Sequence, residues 1–183
     1  MNWTLINSFA DWFSAFGTIS AVVVSLHLAR RDKSPRLKIF AGHRLLVQQG
    51  VPNPQNQDYL VIGVTNVGLR DVQVTNIGWK IGVLRKQFGI QTIEPIRLSS
   101  TIPTKLSDGE EAHYLRPLFD GKDWARRFYK DFLAPNPSVR VRLTWLQVHT
   151  SVGKTFKARI EPGLQRKILE LGATQQSAAV DGR

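Results

Sequence analysis

The chain has 183 residues, room for one domain of ordinary size and an appendage, and its 42% hydrophobic and 21% charged content excludes wholesale disorder. It contains no cysteine, which excludes a disulfide framework, a thiolate metal site and thiol catalysis. Lys and Arg number 25 against 14 acidic residues, for a net charge of +11; Asp11 is the only charged residue before Arg30, so residues 30–183 carry +12, a surplus that favours phosphate-bearing or other anionic partners without constraining the fold.

Residues 12–29 form an uncharged run of 18, bounded by Asp11 and the Arg30-Arg31 pair. A bilayer core about 30 Å thick needs about 20 helical residues, so a transmembrane helix is predicted over about residues 9–29, with Trp3, Trp12 and Phe13 as one headgroup belt. Thr18, His27 and the serines keep the span only moderately apolar, so an interfacial helix and a core helix of a soluble protein remain alternatives. No basic residue precedes Trp12, whereas a cleaved secretory signal carries a basic segment ahead of its apolar run. Arg30, Arg31, Lys33, Arg36 and Lys38 follow it instead. The positive-inside rule keeps such a cluster cytoplasmic, against anionic headgroups, with the N-terminus out. Gly17, Ala21 and Ser25 recur every four residues, a small-xxx-small stripe that allows close helix approach and self-association; the plain alternative is that small residues are common in membrane helices.

From Pro35 the pattern changes to short alternating segments punctuated by Gly, Pro, Asn and Asp, as in antiparallel sheets. Residues 37–48 read as a strand and residues 50–58 as a surface loop. Leu60, Ile62 and Val64 point one way, and the Asn66-Val-Gly68 segment turns the chain. In the next strand Val72 and Val74 have one parity and Ile77, Trp79 and Ile81 the other, which predicts a β-bulge near Thr75 or Asn76. Residues 89–93 and 97–104 are weaker strands, and residues 107–111 a turn into a strand over residues 112–115. Asp123 is predicted to cap a helix through Leu133, with Trp124, Phe128 and Phe132 on its core face.

The final hairpin is read from the alternation of Val139, Val141, Leu143 and Trp145 with Arg140, Arg142 and Thr144, and of Phe156, Ala158 and Ile160 with Lys157 and Arg159. A turn near residues 151–153 pairs Leu143 with Ile160, Trp145 with Ala158, Arg142 with Glu161 and Thr144 with Arg159. A short helix follows Pro162. The expected organisation is an anchor with a basic juxtamembrane segment over residues 1–34, a β domain over 35–171 and a disordered tail over 172–183. The fold class is mainly β: an immunoglobulin-like sandwich, or a small barrel, with one inserted helix.

The Gly17-Thr-Ile-Ser-Ala-Val22 helix ending in Leu28-Ala-Arg-Arg31, followed by Val64-Thr-Asn-Val-Gly68 and Ile77-Gly-Trp79, resembles small, largely uncharacterised membrane-anchored proteins of bacteria and their prophages. The resemblance spans most of the chain and implies the bacterial inner membrane as location, but brings no chemistry.

Gly153-Lys154-Thr155 imitates the end of a phosphate-binding loop, but that motif needs a glycine where Val148 stands and a strand-to-helix setting. His27, His43, His113 and His149 have no metal-ligand spacing, and no nucleophile or paired acid emerges. A non-enzyme without cofactor is therefore expected. The candidate anion-binding residues are Arg140, Arg142, Lys157 and Arg159 on the outer face of the final hairpin, with Arg126, Arg127 and Lys130 on the helix; an ordinary solvated surface is the alternative. Three functions fit: an anchored cytoplasmic module binding a protein partner or anionic ligand; a membrane-disrupting effector of a defence or prophage exclusion system, gated by a ligand of the β domain; and a soluble nucleic-acid-binding domain. Membrane fractionation and overexpression toxicity separate them.

Overall fold

The alternating segments fold as antiparallel strands, and the protein is mainly β with an apolar N-terminal helix. The computed structural model describes residues 3–32, 34–47, 57–83, 85–94, 96–118 and 124–180. Helix α1 (Trp3–Asp32) precedes strands β1 (Leu37–Leu46), β2 (Gln57–Asn66), β3 (Val72–Ile81), β4 (Gln87–Ile90), β5 (Thr104–Leu106) and β6 (Glu111–Pro117). Helix α2 (Trp124–Phe128) runs into a π-helical turn (Tyr129–Leu133), followed by α3 (Pro137–Arg142), strands β7 (Thr144–Thr150) and β8 (Thr155–Arg159), and helix α4 (Pro162–Val180).

The strands divide into two sheets, β1-β2-β6 and β4-β3-β7-β8, with β5 also paired to β3. Leu60, Ile62 and Val64 from the first sheet, and Ile77, Trp79, Ile81, Leu146 and Val148 from the second, share one apolar core with Leu164 and Ile168 of α4. Each such side chain contributes about 1.5–3 kcal/mol on burial. The parity change in β3 is a bulge between Val74 and Asn76 in its pairing with β7.

The Asn66 turn is built by its side chain. The buried amide Nδ2 donates to the carbonyls of Arg70 (2.9 Å) and Leu106 (3.0 Å), and Oδ1 accepts from Gly68 N–H (3.1 Å). Both N–H donors and the carbonyl oxygen of the buried amide are engaged, tying the β2–β3 turn to β5. The aromatic stripe packs as its spacing predicts: Trp124 stacks on Phe128 at 4.9 Å, Phe128 meets Phe132 at 5.5 Å, and the Trp79 ring lies edge-on to Phe128 at 5.5 Å. Asp123, the expected cap, lies outside the described residues, and residues 129–133 continue as a π turn closed by Ala134 N–H to Tyr129 O at 3.2 Å.

Four expectations fail. Residues 97–103 are turns and bends rather than a strand, and the chain extends only at β5 from Thr104, where it pairs with β3. Residues 137–142 are a short helix, not the start of a strand. Pro137 occupies its first turn after Asn136, the arrangement proline favours at helix starts, and only Val141 of its residues is buried. The final hairpin therefore begins at Thr144, and its register is displaced by one residue: Trp145 faces Arg159, Leu146 faces Ala158 and Val148 faces Phe156. The predicted pairs Leu143–Ile160, Trp145–Ala158, Arg142–Glu161 and Thr144–Arg159 do not form; Glu161 instead receives both guanidinium nitrogens of Arg44, at 2.7 and 3.1 Å. Finally, the chain does not become irregular at Gly172. Helix α4 continues to Val180, and Gly172 is buried where α4 passes Tyr129, whose ring fills the space a Cβ would occupy.

Candidate functional site

Displacing the hairpin by one residue turns Trp145 out of the core and creates the outer face of the five-stranded sheet, because a one-residue slip inverts every side chain of a strand. Thr144, Leu146, Val148 and Thr150 are buried, and Trp145 is only partly so. Cross-strand pairing then orders the outer face in rows. Phe88, Lys80, Trp145 and Arg159 form one row; Ile90, Gly78, Gln147 and Lys157 form the next; Asn76, His149 and Thr155 form a third.

The two middle strands supply the floor and the outer two the walls. Arg159 lies over the Trp145 ring at 5.0 Å, a cation–π contact that holds the guanidinium across the sheet. His149 Nδ1 meets Thr155 Oγ1 at 3.0 Å. A groove of about 470 Å³ runs between Phe88, Ile90 and Gly89 on one side and Gln147, His149, Thr155 and Lys157 on the other. Phe88 and Ile90 are 64% and 76% exposed, large values for apolar side chains on a regular strand. Strands β3, β4, β7 and β8 contain no Asp or Glu, so Lys80, Lys157 and Arg159 have no acidic neighbour within their own strands. The face is cationic and amide-bearing with an apolar border, which gives it a positive local potential.

Of the four predicted anion-binding residues, Lys157 and Arg159 lie on this face and are exposed. Arg140 and Arg142 do not join them, since both sit on α3. Arg140 is tied down, its Nε donating to the Phe132 carbonyl at 2.8 Å and its Nη2 contacting the Gln87 side chain. Lys80, Trp145, Gln147 and His149 were missed as members. The signal for them was the even parity of Thr144, Leu146, Val148 and Thr150, overridden by placing Trp145 inside.

The residues of the expected anchor fall as follows. Residues 12–29 of α1 are wholly exposed, and Gly17, Ala21 and Ser25 recur along the helix with no atom within 4 Å of a Cβ built on Gly17. Thr18 Oγ1 donates to Ser14 O at 2.9 Å, which satisfies the hydroxyl inside the helix. Arg30 and Arg31 belong to the last turns of α1, Lys33 lies outside the described residues, and Arg36 and Lys38 are exposed at the entry to β1. Lys154, from the mock phosphate loop, binds this entry instead, donating to the Pro35 carbonyl at 3.1 Å.

A second charged cluster lies beside β1. His43 Nε2 donates to Asp58 Oδ1 at 2.6 Å, and Lys167 Nζ to Asp58 Oδ2 at 3.0 Å. Burial pushes the Asp58 carboxyl up, but the hydrogen bonds and charges of His43 and Lys167 outweigh it, leaving it below the ordinary carboxylate range. The cluster joins β1, β2 and α4 and has a structural role.

No protein-family model and no curated protein matches the chain. Among solved structures it is similar to a protein described as ApaA from Bordetella pertussis (17% identity, covering 70% of this chain and 91% of that one, TM-score 0.31). It is also similar to a structural-genomics target, SoR45 (11% identity, 71% and 84% coverage, TM-score 0.25).

Proposed function

We propose that this chain is a non-enzymatic, membrane-anchored binding module, in which α1 spans the bacterial inner membrane and the β domain on the cytoplasmic side presents its cationic sheet face to an anionic ligand or acidic protein partner. The observation that carries the reading is that residues 12–29 of α1 are long and apolar enough to cross a bilayer and are entirely uncovered by the β domain. At a rise of 1.5 Å per residue the 18-residue window spans about 27 Å, close to the hydrocarbon thickness. A core helix of a soluble protein would bury one face. The basic residues Arg30, Arg31, Lys33, Arg36 and Lys38 support the cytoplasmic orientation. Anchoring concentrates the binding face at the membrane, which raises the effective concentration of any second membrane-bound partner. Two separate strand ladders around one core support an immunoglobulin-like sandwich over a closed barrel.

The test is fractionation with intact-mass measurement. The full-length protein is expected in the membrane fraction, extractable only by detergent, with a C-terminal reporter active in the cytoplasm. Recovery from the soluble fraction, or a mass showing loss of the first helix, overturns the anchor. The same experiment rejects or establishes a cleaved signal sequence, and recovery in the membrane fraction rejects a soluble nucleic-acid-binding protein.

A further inference from the structure

Strand β4 ends the five-stranded sheet: it pairs with β3 and, among the described residues, with no strand on its other side. The pairing pattern shows what it offers there. Gln91 N–H donates to Ile77 O at 2.8 Å, so the Ile77/Gln91 pair is hydrogen-bonded, and in an antiparallel ladder such pairs alternate. Gly89 and Gln87 therefore turn their peptide groups toward β3, whereas Phe88 and Ile90 turn their N–H and C=O groups outward, away from the sheet. Edge strands are ordinarily blunted by proline or inward-pointing charge; here the two residues with outward peptide groups are also the exposed Phe88 and Ile90.

The surroundings select the occupant. No Asp or Glu occurs from residue 72 to residue 93, while Lys80 lies opposite Phe88, Arg85 and Lys86 immediately precede the strand, and Arg140 reaches Gln87. A second copy of this chain would bring the same cations against them. We propose that the free edge of β4 is a strand-addition site for an extended acidic segment of a partner protein. Its backbone pairs with Phe88 and Ile90, apolar side chains on its outer face pack on those two residues, and acidic side chains where it passes the start of β4 meet Lys86 and Arg85. The proposal rests on reading the β domain as a binding module and names its partner's chemistry.

The full-length protein in detergent is titrated with three fluorescent peptides: one with a Val-Thr-Val core flanked on both sides by Glu residues, the same peptide N-methylated at the core amides, and one with Lys in place of every Glu. The acidic peptide is expected to bind saturably, with at least about tenfold weaker binding of the N-methylated and lysine peptides. Ile90→Pro removes an outward N–H without touching the ladder to β3, a substitution tolerated on edge strands, and is expected to weaken binding by about tenfold. Absence of saturation by the acidic peptide up to about 1 mM overturns the proposal. So does unchanged affinity after N-methylation, an outcome that needs no variant to fold. Should Lys157→Glu with Arg159→Glu abolish binding while Ile90→Pro and N-methylation leave it intact, the sheet face is the site and the edge is not. Self-association of the protein alone that Ile90→Pro dissolves makes a second copy the occupant and overturns the acidic partner. Fractionation decides the anchor independently of all these outcomes.

Discussion

The attachment of β4 to β3 depends on one buried polar pair whose energetics are asymmetric. Trp79 is 3% exposed and Gln91 4%, and the indole Nε1–H donates to Gln91 Oε1 at 2.8 Å just beyond the end of β4. Trp79→Phe leaves the amide oxygen of Gln91 without its donor, and Gln91→Leu strands the indole N–H. Either should cost about 1–3 kcal/mol, the penalty for a desolvated and unpaired polar group. For a chain of this length each kcal/mol lowers Tm by about 2–4 °C, so a loss of about 2 kcal/mol reads as about 4–8 °C. The double variant removes both partners and should lose less than the sum, with a coupling of about 1–2 kcal/mol. Thermal and urea unfolding of the four full-length proteins in one detergent, followed by near-ultraviolet circular dichroism, completes the cycle. Strict additivity, or a neutral Trp79→Phe, would refute the claim that this bond pins the strand.

Gly78 admits β4 to the sheet, since a Cβ there would lie 2.7 Å from the Gly89 carbonyl oxygen; Gly78→Ala should displace β4 at a cost of about 1–3 kcal/mol, read as a fall in Tm. Asp58 titrates below its unfolded value, so its contribution is complete above the ordinary carboxylate range and is lost as pH falls through that range toward the lowered folded value. The wild-type Tm should accordingly drop more steeply on acidification than that of Asp58→Asn, and parallel curves would remove the cluster from the stability account. Gly17→Ile with Ala21→Ile keeps the span apolar but adds bulk to its small-residue stripe, so crosslinking in membranes should fall while membrane content holds; undiminished crosslinking makes the stripe incidental.

The apolar N-terminal helix was legible from residues alone, because an uncharged run bounded by charges is a local property, as was the aromatic stripe of α2 from its spacing of four. The bulge in β3 was legible because two parities within one strand admit a single extra residue. The Asn66 turn was legible as a turn, though not the role of its side chain, whose partners at Arg70 and Leu106 come from two elements. What failed was decided at a distance. Residues 139–145 alternate as a strand does, yet Asn136-Pro137 starts a helix, and among the described residues no strand pairs with Val139 or Val141. Register followed from the same cause: a hairpin's local pattern accepts either parity for Trp145, and only packing of Leu146 and Val148 against Ile77 and Ile81 turned the ring outward beneath Arg159. The sequence by itself determined the apolar N-terminal helix, the antiparallel β character of most of the remainder and the excess of cations. Which cations share a face, and which strand edge stays open, was decided by pairing between segments remote in the chain, since register is a property of two strands and cannot be read from one.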